Sequence, residues 1–196
     1  MSDWLGARRS EVACDRILDA AAGLFAQRGV ESVGMNDIAR AAGCSRATLY
    51  RYFDSRDALH AAYVHRHARA INEHLAKLVA RIADPRKRLV AALTHALRLV
   101  RENPALAAWF TSSAIGAKAA EGSGVVQAMT AGFLLSVGPD DAATAERQAR
   151  WLVRVLTSFL TVPGRDADEE RALLEEFVAP LMVPDRTSPA AELARQ

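Results

Sequence analysis

Between Gly43 and Phe53 the sequence places a group of side chains that could recognise DNA. A guanidinium group can pair with guanine, hydroxyl and phenol groups can hold phosphates, and a small residue can approach a groove or a thymine methyl group. All these types occur in one short segment, at Arg46, Ala47, Thr48, Tyr50 and Arg51. Leu49 and Phe53 lie four residues apart, so a helix here would turn its polar side chains away from an apolar inner face.

The preceding residues predict the elements that would hold this segment in place. Met35, Ile38, Ala39 and Ala42 follow the spacing of one helical stripe, and Gly43 is suited to end that helix. Ser45 can cap the next helix. A helix, a tight turn and a second helix with a polar outer face predict a helix-turn-helix over residues 34–53. An earlier apolar stripe, from 11 to 28, predicts a helix that completes a three-helix core.

The segment from Asp37 to Leu59, DIARAAGCSRATLYRYFDSRDAL, resembles the N-terminal DNA-binding module of the TetR family of transcriptional regulators. The matching features are Ile38-Ala39, Ala42-Gly43-Cys44-Ser45, Thr48-Leu49-Tyr50, Tyr52-Phe53 and Arg56-Asp57-Ala58-Leu59. The sequence departs from the family pattern at three positions. Gly34 stands where Thr or Ser often opens the first helix, Ala47 where Gly is common, and Arg56 where Lys is common.

The resemblance implies an all-α fold, in which this module joins a C-terminal helical bundle for ligand binding and dimerisation. We expect a DNA-binding domain at 9–60, an effector-binding and dimerisation domain at 61–184 and a flexible tail at 185–196. Arg46 is expected to read bases and Ala47 to allow close approach. Family equivalents imply that the phosphate contacts come from Ser45, Thr48, Tyr50, Tyr52 and Arg56. Tyr52 has a second interpretation, as a partly buried neighbour of Phe53.

The composition is typical of a helical protein but does not by itself indicate DNA binding. The chain has 196 residues, 51% of them hydrophobic and 6% aromatic, with a net charge of +2. Residues 1–59 hold eight arginines and eight acidic residues, so DNA binding would depend on how charge is arranged. Residues 1–10 are expected to form a loose arm, in which Arg8 and Arg9 are either solvated or contact phosphates. No long apolar segment or signal core is present, so a cytoplasmic protein is expected.

A long helix is predicted from Asp54 or Ser55 to about Ala83, where Asp84-Pro85 ends it. One stripe on it carries His60, His67 and His74. These are seven residues apart, or about 10 Å along a helix, which is too far for two of them to share a metal ion. We therefore expect no metal and no cofactor, and imidazoles hydrogen-bonded to neighbours at an internal interface.

Bulky apolar residues in the second half predict a small-molecule pocket, because proteins of this family usually bind an inducer between these helices. The candidate ligand-binding residues are Trp109, Phe110, Met129, Phe133, Trp151 and His67. The alternative is that most of them simply fill the core. Ligand entry would tilt the long helix and release DNA, which makes a ligand-responsive repressor the expected function.

The last two strong helices repeat one pattern of apolar offsets, starting at Trp151 and at Leu173. A stripe this wide can contact two neighbours at once, inside and outside the subunit. The resemblance implies a homodimer through these helices, and hence a palindromic operator. The expected interface residues are Leu152, Leu156, Phe159, Leu174, Phe177 and Leu181. The alternative is a hairpin within one subunit.

The sequence also offers residues for two other functions. Cys14 and Cys44 have no metal-ligand or C-x-x-C spacing, and oxidation of Cys44 in the turn could make the regulator redox-responsive. An all-helical enzyme could use Cys44, histidines and Ser112-Ser113. The sequence contains no Gly-rich phosphate loop and no recognisable nucleophile–base grouping, so we expect no enzyme activity.

Overall fold

The computed structural model describes residues 4–111, 115–139 and 141–184, and these ranges contain helices and no β-strand. The expected all-α fold is confirmed. The helices are α1 Trp4–Arg28, α2 Met35–Ala41, α3 Arg46–Tyr52, α4 Arg56–Val79, α5 Pro85–Glu102, α6 Pro104–Thr111, α7 Ile115–Gly122, α8 Gly124–Leu135, α9 Ala142–Thr161, α10 Ala167–Leu173 and α11 Ala179–Met182. None of the described helices is long and apolar enough to cross a membrane. The predicted tail and Ser112-Ser113 lie outside the described residues.

The first three helices have the predicted order and turns. After α2, Gly43 adopts a φ of +67°, and the N–H of Cys44 donates to the Ala39 carbonyl at 3.0 Å. This is a Schellman ending, which favours glycine because the left-handed backbone is strained for other residues. Ser45 then begins α3, its Oγ accepting from the Thr48 N–H at 3.0 Å. The loose arm expected at 1–10 is wrong from Trp4 onward, since α1 starts there.

The long helix α4 is capped by Ser55, whose Oγ accepts from the Ala58 N–H. At 24 residues α4 is about 36 Å long and ends earlier than expected, at Val79. It crosses the predicted domain boundary at residue 60, so it belongs to both halves of the protein. Asp84 caps α5 and Asn103 Oδ1 accepts from two N–H groups that open α6.

The last helical segment is not one regular α-helix, although its apolar offsets predicted one. A π-helical turn, Leu174–Val178, separates α10 from α11. Pro180 lies just after it, and a proline inside a helix lacks an N–H and crowds the carbonyl four residues earlier. The wider turn accommodates that proline within the helical segment.

Buried side chains form two apolar clusters. The N-terminal core joins α1–α4 to α6 and includes Phe25, Ile38, Leu49, Tyr63 and Trp109. The C-terminal core joins α5, α8, α9 and the segment from α10 to α11, and includes Leu89, Leu93, Leu134, Leu152 and Leu174. Helix α6 therefore packs with the N-terminal module, although it lies far beyond that module in the sequence.

Candidate functional site

The outer face of α3 presents the residue types needed to contact DNA. Arg46, Ala47 and Arg51 are exposed, while Thr48, Tyr50 and Tyr52 are half-buried at its margins. Leu49, on the opposite face, is fully buried. The Oγ atoms of Ser45 and Thr48 lie 2.9 Å apart, so two hydroxyl groups stand together at the start of the helix. Tyr52 also packs against the N-terminal core, which agrees with its second interpretation.

The arrangement of charge separates the arginines of this module into two groups. Arg40 and Arg28 both approach Asp37, at 2.6 Å and 3.7 Å. The Gly34 N–H and these arginines lower the pKa of the Asp37 carboxyl, so it stays ionised and neutralises part of their charge. On α3, by contrast, Arg46 and Arg51 lie over the rings of Tyr50 and Tyr52 at 5.3 Å and pair with no described carboxylate.

A further arginine near this face comes from α1 and had no signal in the sequence motif. A Cβ placed on Gly43 would lie 3.0 Å from Nη2 of Arg16, so this exposed guanidinium rests beside the helix-turn-helix turn. A long-range contact of this kind depends on how α1 crosses α2 and α3. Local spacing cannot reveal it.

A cavity of about 220 Å³ lies where the two cores meet. Side chains from α4, α5, α6, α7, α8 and α9 form its walls. Trp109 and Leu106 belong to the N-terminal core, whereas Leu93 and Leu152 belong to the C-terminal core, and all four line the cavity. Its volume somewhat exceeds the roughly 150 Å³ of an apolar cavity that takes up benzene.

Aromatic rings connect this cavity to the N-terminal module of α1–α3. Trp109 stacks on Tyr63 with an interplanar angle of 4° and meets Phe25 edge-on. His60 meets Trp109 edge-on, and His67 lies 4.4 Å from Tyr63 between ring centroids. Burial, with the nearby Arg56 charge, lowers the pKa of His60 to about 4; burial also lowers the pKa of His67 and raises that of Tyr63.

Sequence comparisons agree with the geometry of the first three helices. The family model described as "Bacterial regulatory proteins, tetR family" matches residues 17–63. An uncharacterized HTH-type transcriptional regulator of Mycobacterium tuberculosis H37Rv is 57% identical over 185 residues, which cover 93% of this chain and 92% of that protein. This chain belongs to the TetR family. It is therefore a DNA-binding transcriptional regulator with a helix-turn-helix.

Solved TetR-family structures have the same fold. RolR, in a complex with resorcinol, gives a TM-score of 0.70 at 20% identity and covers 97% of this chain and 96% of its own. The TetR family repressor AlkX from Dietzia sp. gives a TM-score of 0.65 at 24% identity, covering 85% of this chain and 96% of its own. At these identities the likeness concerns the fold.

Five of the six expected ligand residues of this TetR-family chain surround the cavity: His67, Trp109, Phe110, Met129 and Phe133. Trp151 does not line it and is 40% exposed on the outside of α9. The next residue, Leu152, was assigned to the dimer interface but is fully buried and lines the cavity. The structure therefore reverses the two expected roles: Leu152 lines the cavity and Trp151 is exposed. The sequence-based list also omitted α5, which contributes Leu93 and Val100.

Other expected interface residues divide between the inside and the outside of the chain. Leu174 is fully buried, and Leu156 is half-buried and lines the cavity. Phe159 is half-buried. Phe177 and Leu181 are 55% and 62% exposed. The inner half of each wide stripe packs within the subunit, and the outer half is exposed.

Arg56 makes contacts that the sequence did not predict, and the hydrogen bonds expected of two histidines are absent among the described residues. Nη2 of Arg56 donates to the carbonyls of Val30 and Glu31, at 2.7 Å and 3.1 Å, so this group holds the turn before α2 instead of reaching outward. The Nε2 atoms of His60 and His67 are buried without a hydrogen-bond partner among the described residues. Ring contacts take the place of the expected hydrogen bonds.

No group of three metal-binding side chains occurs among the described residues. Cys14 and Cys44 are both free and half-buried. Burial and nearby acidic side chains raise the pKa of the Cys14 thiol, which keeps it in the less reactive protonated form.

Proposed function

We propose that this TetR-family regulator is a repressor that binds a palindromic operator as a homodimer and leaves it when a small, largely apolar ligand enters the cavity. The observation that carries this proposal is the position of the cavity at the boundary of the two cores. Trp109 belongs to its wall and also packs on Phe25 and Tyr63 of the DNA-binding module. A ligand that displaces this wall therefore acts directly on the packing of that module. Chromosomal DNA as the partner implies work in the cytoplasm.

In the proposed complex, α3 enters the major groove. Arg46 reads bases, because its guanidinium is exposed and unpaired, and the exposed methyl group of Ala47 allows close approach. The phosphate contacts come from Ser45, Thr48, Tyr50 and Tyr52. Arg56 takes part in a different way, by fixing the turn that leads into α2.

The proposed dimer uses the exposed outer halves of the last helices. Trp151, Phe177 and Leu181 are large apolar side chains that the subunit leaves exposed. Gln148 donates to the Leu181 carbonyl, which places α9 beside α11 at this face. With Phe159, these residues would form a two-fold four-helix interface. Such a dimer would present two α3 helices about 34 Å apart, or a multiple of it, which is the spacing of successive major grooves on one face of DNA.

The proposed release of DNA requires only that the ligand binds one arrangement of the two α3 helices more tightly than the other. Helix α4 is suited to transmit this preference because it spans both halves of the protein. Near its start Tyr63 packs in the N-terminal core, and further along His67 and Ile71 line the cavity. Arg66, between them, pairs with Asp19 of α1 at 2.8 Å.

The experiment is to select operator duplexes from random DNA and compare three variants on them. Arg46→Ala should relax base preference at one position of each half-site, whereas Thr48→Ala and Tyr50→Phe should weaken binding to all duplexes alike. Uniform losses for all three variants would contradict the assignment of Arg46 to base readout. Phe177→Asp tests the dimer: in sedimentation it should give monomers that bind the operator far more weakly, and an unchanged dimer would remove this interface from the proposal.

A further inference from the structure

The wall of the cavity carries no charge. None of the described lining residues is Asp, Glu, Lys or Arg. One ionised group beside the wall is Glu121, whose carboxylate lies 3.2 Å from Oγ1 of the lining Thr157 and approaches Arg154 at 3.7 Å on its other side. An ion enclosed here would lose its hydration without gaining a partner, and a carboxylate would also meet the negative charge of Glu121. A neutral ligand avoids both costs.

Five polar side chains belong to the wall, those of His67, Asn72, Trp109, Thr130 and Thr157. The hydroxyl of Thr130 already donates to the Val126 carbonyl at 2.8 Å, and the hydroxyl of Thr157 to the Arg154 carbonyl at 2.9 Å. Nε2 of His67 and Nε1 of Trp109 are instead buried with no hydrogen-bond partner among the described residues. Buried polar atoms in proteins are nearly always satisfied, so two unsatisfied nitrogens in one cavity wall need an explanation.

The rings that carry these two nitrogens both contact Tyr63 of the N-terminal core, so both rings lie on the side of the cavity nearest that core. The ring centroids of His67 and Trp109 lie 4.4 Å and 5.2 Å from that of Tyr63. Both nitrogens are covered by neighbouring atoms. A half-turn of the imidazole about its Cβ–Cγ bond exchanges Nε2 with Cε1, so His67 can redirect this nitrogen without movement of α4. The indole N–H can only donate, whereas a neutral imidazole offers one donor and one acceptor.

The volume of the cavity indicates the size of the ligand that it can hold. Benzene, with six non-hydrogen atoms, occupies an apolar cavity of roughly 150 Å³. Scaled to about 220 Å³, the space here suits a molecule of about nine non-hydrogen atoms.

Resting on the function proposed above, we propose that the effector is a compact, uncharged molecule of about this size with one hydroxyl or carbonyl oxygen. The oxygen is bound by His67 at the end of the cavity nearest the DNA-binding module, and it accepts a hydrogen bond from Trp109 Nε1 once ligand entry has displaced the indole and uncovered that atom. The hydrocarbon part lies against Met129, Phe133 and Leu156 of α8 and α9. The ligand thereby satisfies nitrogens that are unpartnered in its absence.

The test is calorimetric titration of the full-length protein with three probes of nearly equal size. Para-ethylphenol is neutral and carries one oxygen, para-ethyltoluene replaces that oxygen by a methyl group, and para-toluate is an anion. We expect para-ethylphenol to bind roughly tenfold more tightly than para-ethyltoluene, as a gained hydrogen bond with desolvated partners allows. Para-toluate should bind more weakly than both. Equal affinities for the phenol and the hydrocarbon, or tighter binding of the anion, would overturn the proposal.

Three variants locate the oxygen. His67→Leu and Trp109→Phe remove the unpartnered nitrogens while keeping an apolar side chain, and each should reduce the preference for the phenol over the hydrocarbon several-fold. Thr130→Val is the matched control, because its hydroxyl hydrogen is already used within α8, and the preference should stay unchanged. If Thr130→Val alone lost the preference for the phenol, the oxygen would lie beside α8 and the proposed position near His67 and Trp109 would be wrong. Thermal melting of each variant checks that it is folded, and either of the first two suffices for the test.

Operator release is measured separately, by fluorescence anisotropy of a selected duplex with each probe. If para-ethylphenol binds in the calorimeter without releasing DNA, the ligand class stands and the proposed repressor mechanism fails. If para-toluate releases DNA and para-ethylphenol does not, the repressor mechanism stands and the ligand class is overturned.

Discussion

The two apolar cores of this regulator differ in how their large side chains are packed. In the N-terminal core Phe25 meets His60, Tyr63 and Trp109 edge-on, with ring centroids between 5.4 and 5.7 Å apart. In the C-terminal core Phe133 is only half-buried, and the wall that it shares with Leu152 borders the cavity. One core fixes the relative positions of the reading helices. The other leaves space that a ligand can occupy.

At the boundary between the two cores, a tightly packed region lies directly beside a region with free volume. Helix α6 contributes Leu106 and Trp109 to the N-terminal core, and both residues also line the cavity. A tightly packed region transmits a displacement because its side chains cannot absorb it, whereas a region with free volume can accept a ligand at small cost. The proposed response to a ligand needs both properties side by side.

The largest expected difference is between two truncations of phenylalanine. Phe25→Ala removes a fully buried ring with aromatic neighbours and should reduce the free energy of unfolding by about 4 kcal/mol. Phe133→Ala removes a half-buried ring beside existing space, so the loss should be about 1–2 kcal/mol. Urea unfolding followed by circular dichroism measures both. Similar losses would mean that the two cores are packed alike, and the comparison would fail.

Acidification should distinguish the N-terminal core through His60. Its pKa is about 4 in the folded protein, against 6.5 for an unperturbed histidine, because burial disfavours the charged ring. Below pH 6.5 the unfolded chain therefore binds a proton that the folded protein does not. The contribution of His60 to the free energy of unfolding is therefore fully present above pH 6.5. It decreases by roughly 3 kcal/mol as the pH falls from 6.5 to 4.

His60→Phe should lessen this dependence when unfolding is measured at several pH values, with His74→Phe on the exposed side of α4 as the control. Carboxyl groups with lowered pKa values, such as Asp37 and Glu170, also lose stability in acid, but they are present in every variant. An identical pH slope in wild type and His60→Phe would show that the buried imidazole accepts its proton without cost.

Substituting leucine for an alanine in each region tests the same difference in packing. Ala21 is fully buried in the N-terminal core, so Ala21→Leu should overpack it and cost about 2 kcal/mol. Ala96 lines the cavity, where Ala96→Leu can extend into free volume and should change stability by less than about 0.5 kcal/mol. The second variant should also bind para-ethylphenol more weakly, because part of the cavity is filled. Unfolding and calorimetry measure the two effects, and a large destabilisation by Ala96→Leu would contradict the free volume.

The contrast between local and distant features also explains how far the sequence could be interpreted. The turn at Gly43 and the cap at Ser45 follow from nearby residues and agree with the prediction, and Ser55 is one of the two residues expected to cap the long helix. The contact of Arg56 with Val30 joins residues 26 positions apart, and nothing in the local pattern indicated it. Helix-turn-helix motifs are recognisable because their determinants are short-range.

Trp151 and Leu152 illustrate a different difficulty. A stripe that is apolar on both sides predicts burial, but its periodicity does not say which side faces the subunit's own core. The structure turns Leu152 inward and Trp151 outward, the reverse of the expectation. Proline at 180 was visible in the sequence, yet the regular apolar offsets concealed the π-helical turn before it. Such choices depend on the neighbours of a helix, which the helix's own residues do not encode.

The smallest effect is expected at the edge of the N-terminal module, where, unlike its core, space is open. Gly34 precedes α2 with φ −95° and ψ 164°, and a Cβ there would meet only Asp37 Oδ2, at 3.6 Å. Gly34→Ser should add a capping hydroxyl and raise the free energy of unfolding by a few tenths of a kcal/mol, whereas Gly34→Ala, which adds the Cβ alone, should lower it by roughly 0.5 kcal/mol. Thermal unfolding separates the two variants. A stabilising alanine would mean that chain stiffness at this position matters more than the cap.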